Sequence, residues 1–260
     1  MQRRKFIHSS VAAAAAITTG IDPLNKKDAA KKKELYELRE YHMHFGADQS
    51  QLDNYFKNAL IPALNKYGVK AVGVFKEMSQ SEPAKIYLLI PYPSMEDYTT
   101  IVHKVKTDAD FLKNSEAYSN IPADHPVYDR YSSAFLIAFD GIPAMVIPEN
   151  KGERIFELRT YEGYSEDAVR RKIKMFNEGE FPIFYRTKLN PVFFGERIAG
   201  ENLPCLTYMI TFKNMEERDK NWAAFGADPD WKKLSADPQY ANTVNNIIKI
   251  FLVPTSYSQI

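Results

Sequence analysis

A duplication at one constant offset constrains this chain more than any other feature. Residues 36–41 read YELREY and residues 156–161 read FELRTY, four of six positions being identical at an offset of 156 − 36 = 120 residues. The same offset pairs residues 61–62 (IP) with 181–182 (FP) and residues 108–111 (DADF) with 228–231 (DPDW). A period this long indicates a duplicated domain, because solenoid repeats span about 20–50 residues.

The duplication divides the chain into three predicted parts. Its 260 residues, 45% of them hydrophobic, suffice for two domains of ordinary size. Residues 143–152 contain the proline, asparagine and glycine positions typical of a connection between domains. We therefore predict a signal and linker in residues 1–33, a first domain in residues 34–150 and a second in residues 151–260.

The N-terminal segment is typical of an export signal. Arg3 and Arg4 precede Lys5 and Phe6, and a short alanine-rich apolar run follows. This arrangement resembles a twin-arginine signal, which implies a bacterial protein exported to the periplasm or beyond. The apolar run is shorter than the roughly 20 residues that a spanning helix needs, so no stable membrane span is expected in the mature form. The single Cys205 cannot form an internal disulfide.

Each copy carries the pattern strand, helix, strand, strand, helix, strand. Alternating apolar residues predict strands, apolar residues at helical spacing predict helices, and Ser94-x-x-Asp97 and Asn214-x-x-Glu217 are typical helix starts. Pro62 and Pro182 lie inside the first helix of each copy, where we expect a kink or break. The predicted strands are 35–43, 69–75, 86–90 and 133–139 in the first copy and 154–161, 192–196, 206–212 and 247–253 in the second; the first helices are 49–67 and 165–188.

This order predicts the α+β ferredoxin-like fold, βαββαβ, with both helices on one face of a four-stranded antiparallel sheet. The other face of each sheet also needs cover. Two copies in one chain can press these open faces together. We therefore predict two ferredoxin-like repeats packed sheet to sheet as an intramolecular α/β barrel.

The strand motifs at 36–41 and 156–161, the helix after each and the duplicated layout resemble the NIPSNAP family. The resemblance extends over almost all of the chain after residue 34. It implies a fold of the dimeric α/β-barrel group, in which many single-copy relatives obtain the barrel by dimerising. It implies no catalytic residue with a known role, because the biochemical role of the family is unsettled. Monooxygenases and haem peroxidases share this group of folds, which is an analogy at the level of fold alone.

The Glu-Leu-Arg strands supply the candidate ligand-binding residues. If Leu38 and Leu158 face the helices, strand alternation turns the charged and tyrosine side chains toward the barrel interior. One interpretation is a set of ion pairs that fixes how the halves dock. The other is a polar cavity in which arginine binds a carboxylate or enolate and tyrosine donates a proton. A reversed strand face is the third alternative. The candidates are Glu37, Arg39, Tyr41, Glu157, Arg159 and Tyr161.

Two histidines are the candidates for a metal site. His42 and His44 stand at i and i+2, so both imidazoles would lie on one face of a strand. No neighbouring His or Cys completes a ligand set, and exposed histidines at a strand end are the default interpretation. We therefore predict no metal and no cofactor, haem included.

Composition and absent motifs exclude several function classes. A net charge of +1 provides no basic excess for nucleic acid. The chain has no Gly-rich phosphate loop, Gly-x-Ser-x-Gly elbow or Cys-x-x-Cys pair. Two hypotheses remain: the barrel encloses a small aromatic or carboxylated organic molecule, with cofactor-free chemistry as an extension, or side chains fill the barrel of a non-catalytic structural or interaction protein. Whether the chain forms a homo-oligomer stays open in both.

Overall fold

The computed structural model describes residues 32–79, 82–149 and 152–260. The first repeat contains a long helix α1, in which three consecutive segments (Ser50–Tyr55, Phe56–Leu60 and Ile61–Lys66) are α-helical, π-helical and α-helical. The other elements are β1 (Leu35–Met43), β2 (Gly73–Glu77), β3 (Lys85–Tyr92), α2 (Met95–Thr107), α3 (Ala109–Asn114), α4 (Glu116–Ser119) and β4 (Tyr128–Ala138).

The second repeat has the same order of elements. Its long helix α5 comprises Glu166–Met175, a π-helical segment Phe176–Glu180, and Phe181–Arg186. The other elements are β5 (Ile155–Glu162), β6 (Asn190–Ala199), β7 (Cys205–Phe212), α6 (Met215–Ala227), α7 (Pro229–Ser235), a 3₁₀ turn (Pro238–Tyr240) and β8 (Asn246–Pro254).

The eight strands form one closed antiparallel barrel in the order β1-β3-β2-β8-β5-β7-β6-β4. Within each repeat the fourth strand pairs with the first, and the first pairs with the third, as in a ferredoxin-like sheet. The two sheets join through β2 with β8 and through β4 with β6. Closure removes the exposed strand edges that each sheet would have alone. The predicted α+β barrel of two ferredoxin-like repeats is confirmed.

The interior of the barrel is an apolar core to which both repeats contribute. Tyr36 and Phe193 lie with ring centroids 5.0 Å apart, and Phe75 and Phe156 are 4.9 Å apart. Each of these pairs joins the first repeat to the second. The same core contains Leu38, Tyr87, Leu89, Leu136, Leu158, Met209 and Leu252, all buried.

A second kind of core lies between each sheet and its helices. In the first repeat, Leu52 and Phe56 of α1 pack against Tyr41, Ile86 and other residues of the sheet. In the second repeat this layer is rich in aromatic rings, which include Phe176, Phe181, Phe184, Phe194, Tyr208 and Phe225. Each half therefore has its own helix-side core, and both share the barrel core.

The helices do not break at Pro62 and Pro182 but continue through a local change of helix type at the same position in both repeats. Each proline is preceded by a π-helical segment, in which the Ile61 amide donates to the Phe56 carbonyl and the Phe181 amide donates to the Phe176 carbonyl. A proline has no amide to bond the carbonyl four residues earlier. The wider i→i+5 turn accommodates this loss without ending the helix.

Both long helices end in a Schellman motif at equivalent positions. The Val69 amide donates to the Leu64 carbonyl, and the Leu189 amide donates to the Phe184 carbonyl. The motif needs a left-handed residue, which is Gly68 (φ 104°) in the first repeat and Lys188 (φ 58°) in the second. Gly68 therefore ends the first helix as its sequence position predicted.

The repeated Asp-x-Asp segments at residues 108–110 and 228–230 begin helices. The Asp108 carboxylate accepts from the Phe111 amide, and the Asp228 carboxylate accepts from the amides of residues 230 and 231. Lys66 and Arg186, at equivalent positions of the long helices, pair with these two carboxylates. The hydrogen bonds with Arg186 lower the pKa of Asp228 to about 2. These aspartates therefore tie the long helices to the following helices and are not free for catalysis.

The predicted export signal lies outside the described residues, and so does all of the predicted segment 1–33 except Lys32 and Lys33. Asn150, at the predicted domain boundary, lies outside them too, and the boundary stays a prediction. Within the parts of the chain that the structure describes, no helix has both the length and the apolar character required to cross a bilayer.

Candidate functional site

The candidate residues of both Glu-Leu-Arg strands lie on the opposite sheet face from the predicted one. Tyr41 packs in the helix-side core of the first repeat, and Tyr161 packs in that of the second. Leu38 and Leu158 instead point into the barrel. The prediction that Glu37, Arg39, Tyr41, Glu157, Arg159 and Tyr161 line the barrel interior is therefore wrong: they lie between the sheets and the helices.

The physical reason for this error is that β1 and β5 are buried on both faces. Strand alternation then separates two sets of residues without indicating which set meets the helices. The ion pairs also do not meet across the barrel. Each pair belongs to the helix-side layer of its own repeat, so the interpretation in which they dock the halves is wrong as well.

In the first repeat, Arg39 and Glu37 form a bidentate ion pair. Arg39 donates from Nε to Glu37 Oε1 at 2.7 Å and from Nη2 to Oε2 at 3.0 Å. Glu37 also accepts from the Tyr92 hydroxyl at 3.1 Å and from Ser133 Oγ at 2.9 Å. The Glu37 side chain is only 4% exposed, and that of Arg39 is 15% exposed. The carboxylate is therefore fully satisfied, while the Arg39 side chain keeps a small exposed fraction.

Tyrosine rings surround this ion pair. The Arg39 guanidinium lies 5.7 Å from the ring centroid of Tyr131, which stacks on Tyr41 at 4.8 Å. Tyr131 is 47% exposed and forms part of the surface above Arg39. Next to them, Tyr55 stacks on Tyr118 with centroids 3.9 Å apart. The first repeat thus places one guanidinium under an aromatic wall that reaches the surface.

Tyr41 and Tyr55 hold their protons at neutral pH. Burial raises the pKa of Tyr55 to about 12. Burial also raises the pKa of Tyr41, although the nearby Arg39 guanidinium acts in the opposite direction. The hydroxyls are therefore hydrogen-bond donors and not general bases.

In the second repeat, the equivalent carboxylate is bound by three side chains. Glu157 accepts from Arg159 Nη1 at 3.0 Å, from Arg218 Nε and Nη2 at 3.0 Å each, and from Trp222 Nε1 at 2.9 Å. The Trp222 ring lies 4.3 Å from the Arg159 guanidinium and covers it. The equivalent residue of the first repeat is the smaller Val102. The arginine side chain is 8% exposed in the second repeat and 15% exposed in the first.

The second repeat also contains a buried ion pair that the sequence analysis missed. Lys172 Nζ donates to Glu180 Oε1, and these side chains are 7% and 3% exposed. The ammonium lies 4.6 Å from the Phe176 centroid and 5.5 Å from that of Trp231. Burial raises the pKa of Glu180, which Lys172 partly offsets. Leu52 and Leu60 occupy the equivalent positions in the first repeat, so an alignment of the copies could have found this pair.

The predicted barrel cavity is small. A space of about 110 Å³ adjoins Leu38, Leu158 and Arg197, below the roughly 300 Å³ of a typical ligand pocket. Two surface clefts of about 660 and 530 Å³ share Arg154 and Lys213 in their linings, which include neither Arg39 nor Arg159. A side-chain-filled barrel is therefore the better description of the interior.

The two histidines of β1 and the following turn pair with acids. His42 Nε2 lies 3.1 Å from Glu40 Oε1, and His44 Nδ1 lies 2.6 Å from Asp129 Oδ1. Across residues 32–79, 82–149 and 152–260, no group of three or more His, Cys, Asp or Glu side chains is arranged to hold a metal ion.

Solved structures with a similar fold cover most of the chain. A provisional monooxygenase from Lactobacillus acidophilus is 11% identical, with 85% of this chain and 94% of that chain covered and a TM-score of 0.58. One from Fusobacterium nucleatum is 10% identical, with coverages of 86% and 93% and a TM-score of 0.53. At these identities the likeness shows the fold alone. No curated protein sequence matches the chain significantly.

The family comparison identifies the second repeat. Residues 156–259 match the NIPSNAP family model. An uncharacterized NIPSNAP-like domain protein from Burkholderia xenovorans is 20% identical and covers 41% of this chain and 89% of its own, with a TM-score of 0.37. The predicted resemblance to the NIPSNAP family is therefore confirmed, and the match to the family model covers residues 156–259.

Proposed function

We propose that the chain is a small-molecule-binding protein whose first repeat takes an aromatic carboxylate between the sheet and the helices. The observation that supports this proposal is Arg39, whose side chain is paired with Glu37, is 15% exposed and lies beside the half-exposed Tyr131. A guanidinium edge suits a carboxylate, and a ring of tyrosines suits a planar aromatic body. This location replaces the barrel interior of the original hypothesis.

The proposed role is binding and not proton abstraction. Tyr41 and Tyr55 are protonated at neutral pH, and burial raises the pKa of each further. They can orient a bound carboxylate or phenol by donating hydrogen bonds. The monooxygenase names of the structural neighbours belong to proteins 10–11% identical to this chain and carry no activity to it.

Binding of benzoate to the full chain tests the proposal. We expect titration calorimetry to detect benzoate and to show weaker binding of the neutral isostere benzamide. The double variant Glu37→Gln/Arg39→Met should bind benzoate at least about tenfold more weakly, since a charge-assisted hydrogen bond contributes about 1.5–3 kcal/mol. Removing both charges together avoids leaving Glu37 buried without its partner.

Arg159→Met is the matched control, because it makes the same substitution at the equivalent position of the second repeat. Glu157 keeps Arg218 and Trp222 as partners there. This variant should bind benzoate like the wild type. Equal affinity of the double variant and the wild type, or no benzoate binding by the wild type, would contradict the proposal.

A non-catalytic structural or interaction protein is the second candidate function. The filled barrel supports it, because the interior core of both repeats leaves only about 110 Å³ beside Leu38 and Leu158. Native mass spectrometry of protein purified from its own cell distinguishes the two candidates. A small molecule retained by the purified chain favours the binding protein. A partner protein bound to a chain that retains no small molecule favours the alternative.

We also propose that the chain is exported through the twin-arginine route. Arg3 and Arg4, which lie outside the described residues, support this proposal through their sequence context alone. Replacing both by lysine should retain the protein in the cytoplasm, because the receptor distinguishes a guanidinium from an ammonium. Fractionation followed by immunoblotting measures the outcome. Unchanged export of the double-lysine variant would show that another route is used.

A further inference from the structure

A groove of about 320 Å³ separates α1 from α3 and α4 in the first repeat. Its lining includes the stacked Tyr55 and Tyr118 and does not include Arg39. All of its lining residues are uncharged, and four of them are primary amides. The lining consists of Gln51, Asn54, Tyr55, Asn58, Asn114, Ala117 and Tyr118.

Helical spacing brings these side chains together. Gln51, Asn54, Tyr55 and Asn58 stand at i, i+3, i+4 and i+7 and therefore form one stripe along α1. Residues 114, 117 and 118 repeat the i, i+3, i+4 spacing across the end of α3 and through α4. The two stripes face each other across the groove.

The four amide side chains are not used in the fold. Gln51, Asn54, Asn58 and Asn114 are exposed, and they form no side-chain hydrogen bond with any other residue that the structure describes. Each amide offers two donor hydrogens and one acceptor oxygen. Asparagine is also a poorer helix former than lysine or glutamate, which commonly occupy such exposed positions. Neither stability nor packing accounts for this cluster.

The second repeat serves as an internal comparison. At the offset of 120 residues, Gln51, Asn54 and Asn58 correspond to Arg171, Lys174 and Glu178. Those charged residues form ion pairs with one another or with Asp167. The same helix in the same fold is therefore compatible with an ordinary charged surface. The amide stripe is specific to the first repeat.

The aromatic pair gives the groove a fixed wall. Tyr55 and Tyr118 are nearly parallel, with an interplanar angle of 10°. The hydroxyl of Tyr118 is held 2.8 Å from that of Tyr128. A preformed wall of this kind lowers the ordering cost of binding.

We propose that this groove binds a neutral, hydroxyl-rich ligand, namely an oligosaccharide. Sugar hydroxyls both donate and accept, which matches amides with free donors and acceptors. The apolar faces of sugar rings can pack on the Tyr55 and Tyr118 rings. An uncharged lining offers no counterion to an anion or a cation. The groove adjoins the Arg39 site, because Tyr55 also lies near Arg39. Its amide stripe and its ligand are distinct from those proposed at Arg39.

Saturation-transfer difference NMR on the full chain tests the proposal with three probes: maltotriose, cellotriose and triacetylchitotriose. We expect at least one to receive saturation at about 10 mM, a range suited to millimolar dissociation constants. Asn54→Ala/Asn58→Ala should weaken that binding at least fivefold. The melting temperature of this variant should stay near that of the wild type, because both side chains are exposed and form no hydrogen bond with the described residues.

The matched control is Lys174→Ala/Glu178→Ala, which alters the equivalent positions of α5. It should bind the saccharide like the wild type. Absence of binding by all three probes, or equal loss in both double variants, would overturn the proposal. Benzoate titration of Asn54→Ala/Asn58→Ala separates the two sites, because benzoate binding should be unchanged whether or not a saccharide binds.

Discussion

Neither repeat expressed alone, as residues 34–148 or 153–260, is expected to be a soluble monomer. Each would expose the sheet face that now forms half of the barrel core, including Tyr36 and Phe75 in the first repeat and Phe156 and Phe193 in the second. Such a patch exceeds the few hundred Å² of contiguous apolar surface that monomers usually expose. Each would also uncover two strand edges, at β2 and β4 or at β6 and β8.

Size-exclusion chromatography with light scattering measures this outcome. Separate halves should elute as dimers or larger aggregates, because a second copy can cover the open sheet face. Coexpression of the two halves should restore a soluble one-to-one complex, which is the control for intrinsic folding. A well-folded monomer of either half would show that the shared core is not required.

The topology could be predicted because the evidence for it is repeated. The element order was indicated twice, mostly at one offset, and the helix starts at Ser94 and Asn214 were marked independently by their capping residues. Both caps are present in the structure. The strand order then follows from the ferredoxin-like pattern, and the open sheet faces require the barrel. Local signals and the global fold agree in this chain, which is typical of sequences that specify one structure.

The sequence could not predict which face of β1 meets the helices, because that choice is not determined by the residues of the strand alone. In β1, Tyr36 and Leu38 form one set and Leu35, Tyr41 and Met43 form the other, and both sets are buried. Which set meets the helices depends on the hand of the sheet and on how α1 packs against it, and neither is encoded within β1 itself. The charged residues also suggested a polar barrel interior. In the structure, however, the ion pairs lie in the helix-side layer and the barrel interior is mostly apolar.

The difference between the two repeats was visible in the sequence but needed the fold to interpret it. Lys172 and Glu180 are eight residues apart, a spacing that in a regular α-helix does not make a direct contact. The π-helical segment Phe176–Glu180 lies between them. Once the helix packs on the sheet, both side chains enter the core at the positions of Leu52 and Leu60 in the first repeat.

Replacing one member of the buried Lys172–Glu180 pair should therefore destabilise the protein far more than replacing both members. We expect Lys172→Leu to lower the free energy of unfolding by about 3–5 kcal/mol, because it leaves Glu180 buried without a counterion. Lys172→Leu/Glu180→Leu installs the residues of the first repeat and should recover most of that loss, since no charge remains uncompensated. Urea denaturation at neutral pH measures both variants. Lys174→Leu, at the exposed neighbouring pair with Glu178, should change stability by less than about 1 kcal/mol.

The same pair should give the Lys172→Leu variant a characteristic pH dependence. Burial raises the pKa of Glu180 in the folded state above its unfolded value, so the folded state favours the protonated carboxyl. The stability that this proton provides is present at low pH and is lost as pH rises through the folded pKa. The deficit of Lys172→Leu relative to the double variant should therefore shrink as the pH is lowered toward about 4, near the ordinary pKa of a glutamate. A deficit that stays constant with pH would mean that Glu180 is hydrated once Lys172 is removed, and that the lysine stabilises this layer by packing against Phe176 and Trp231.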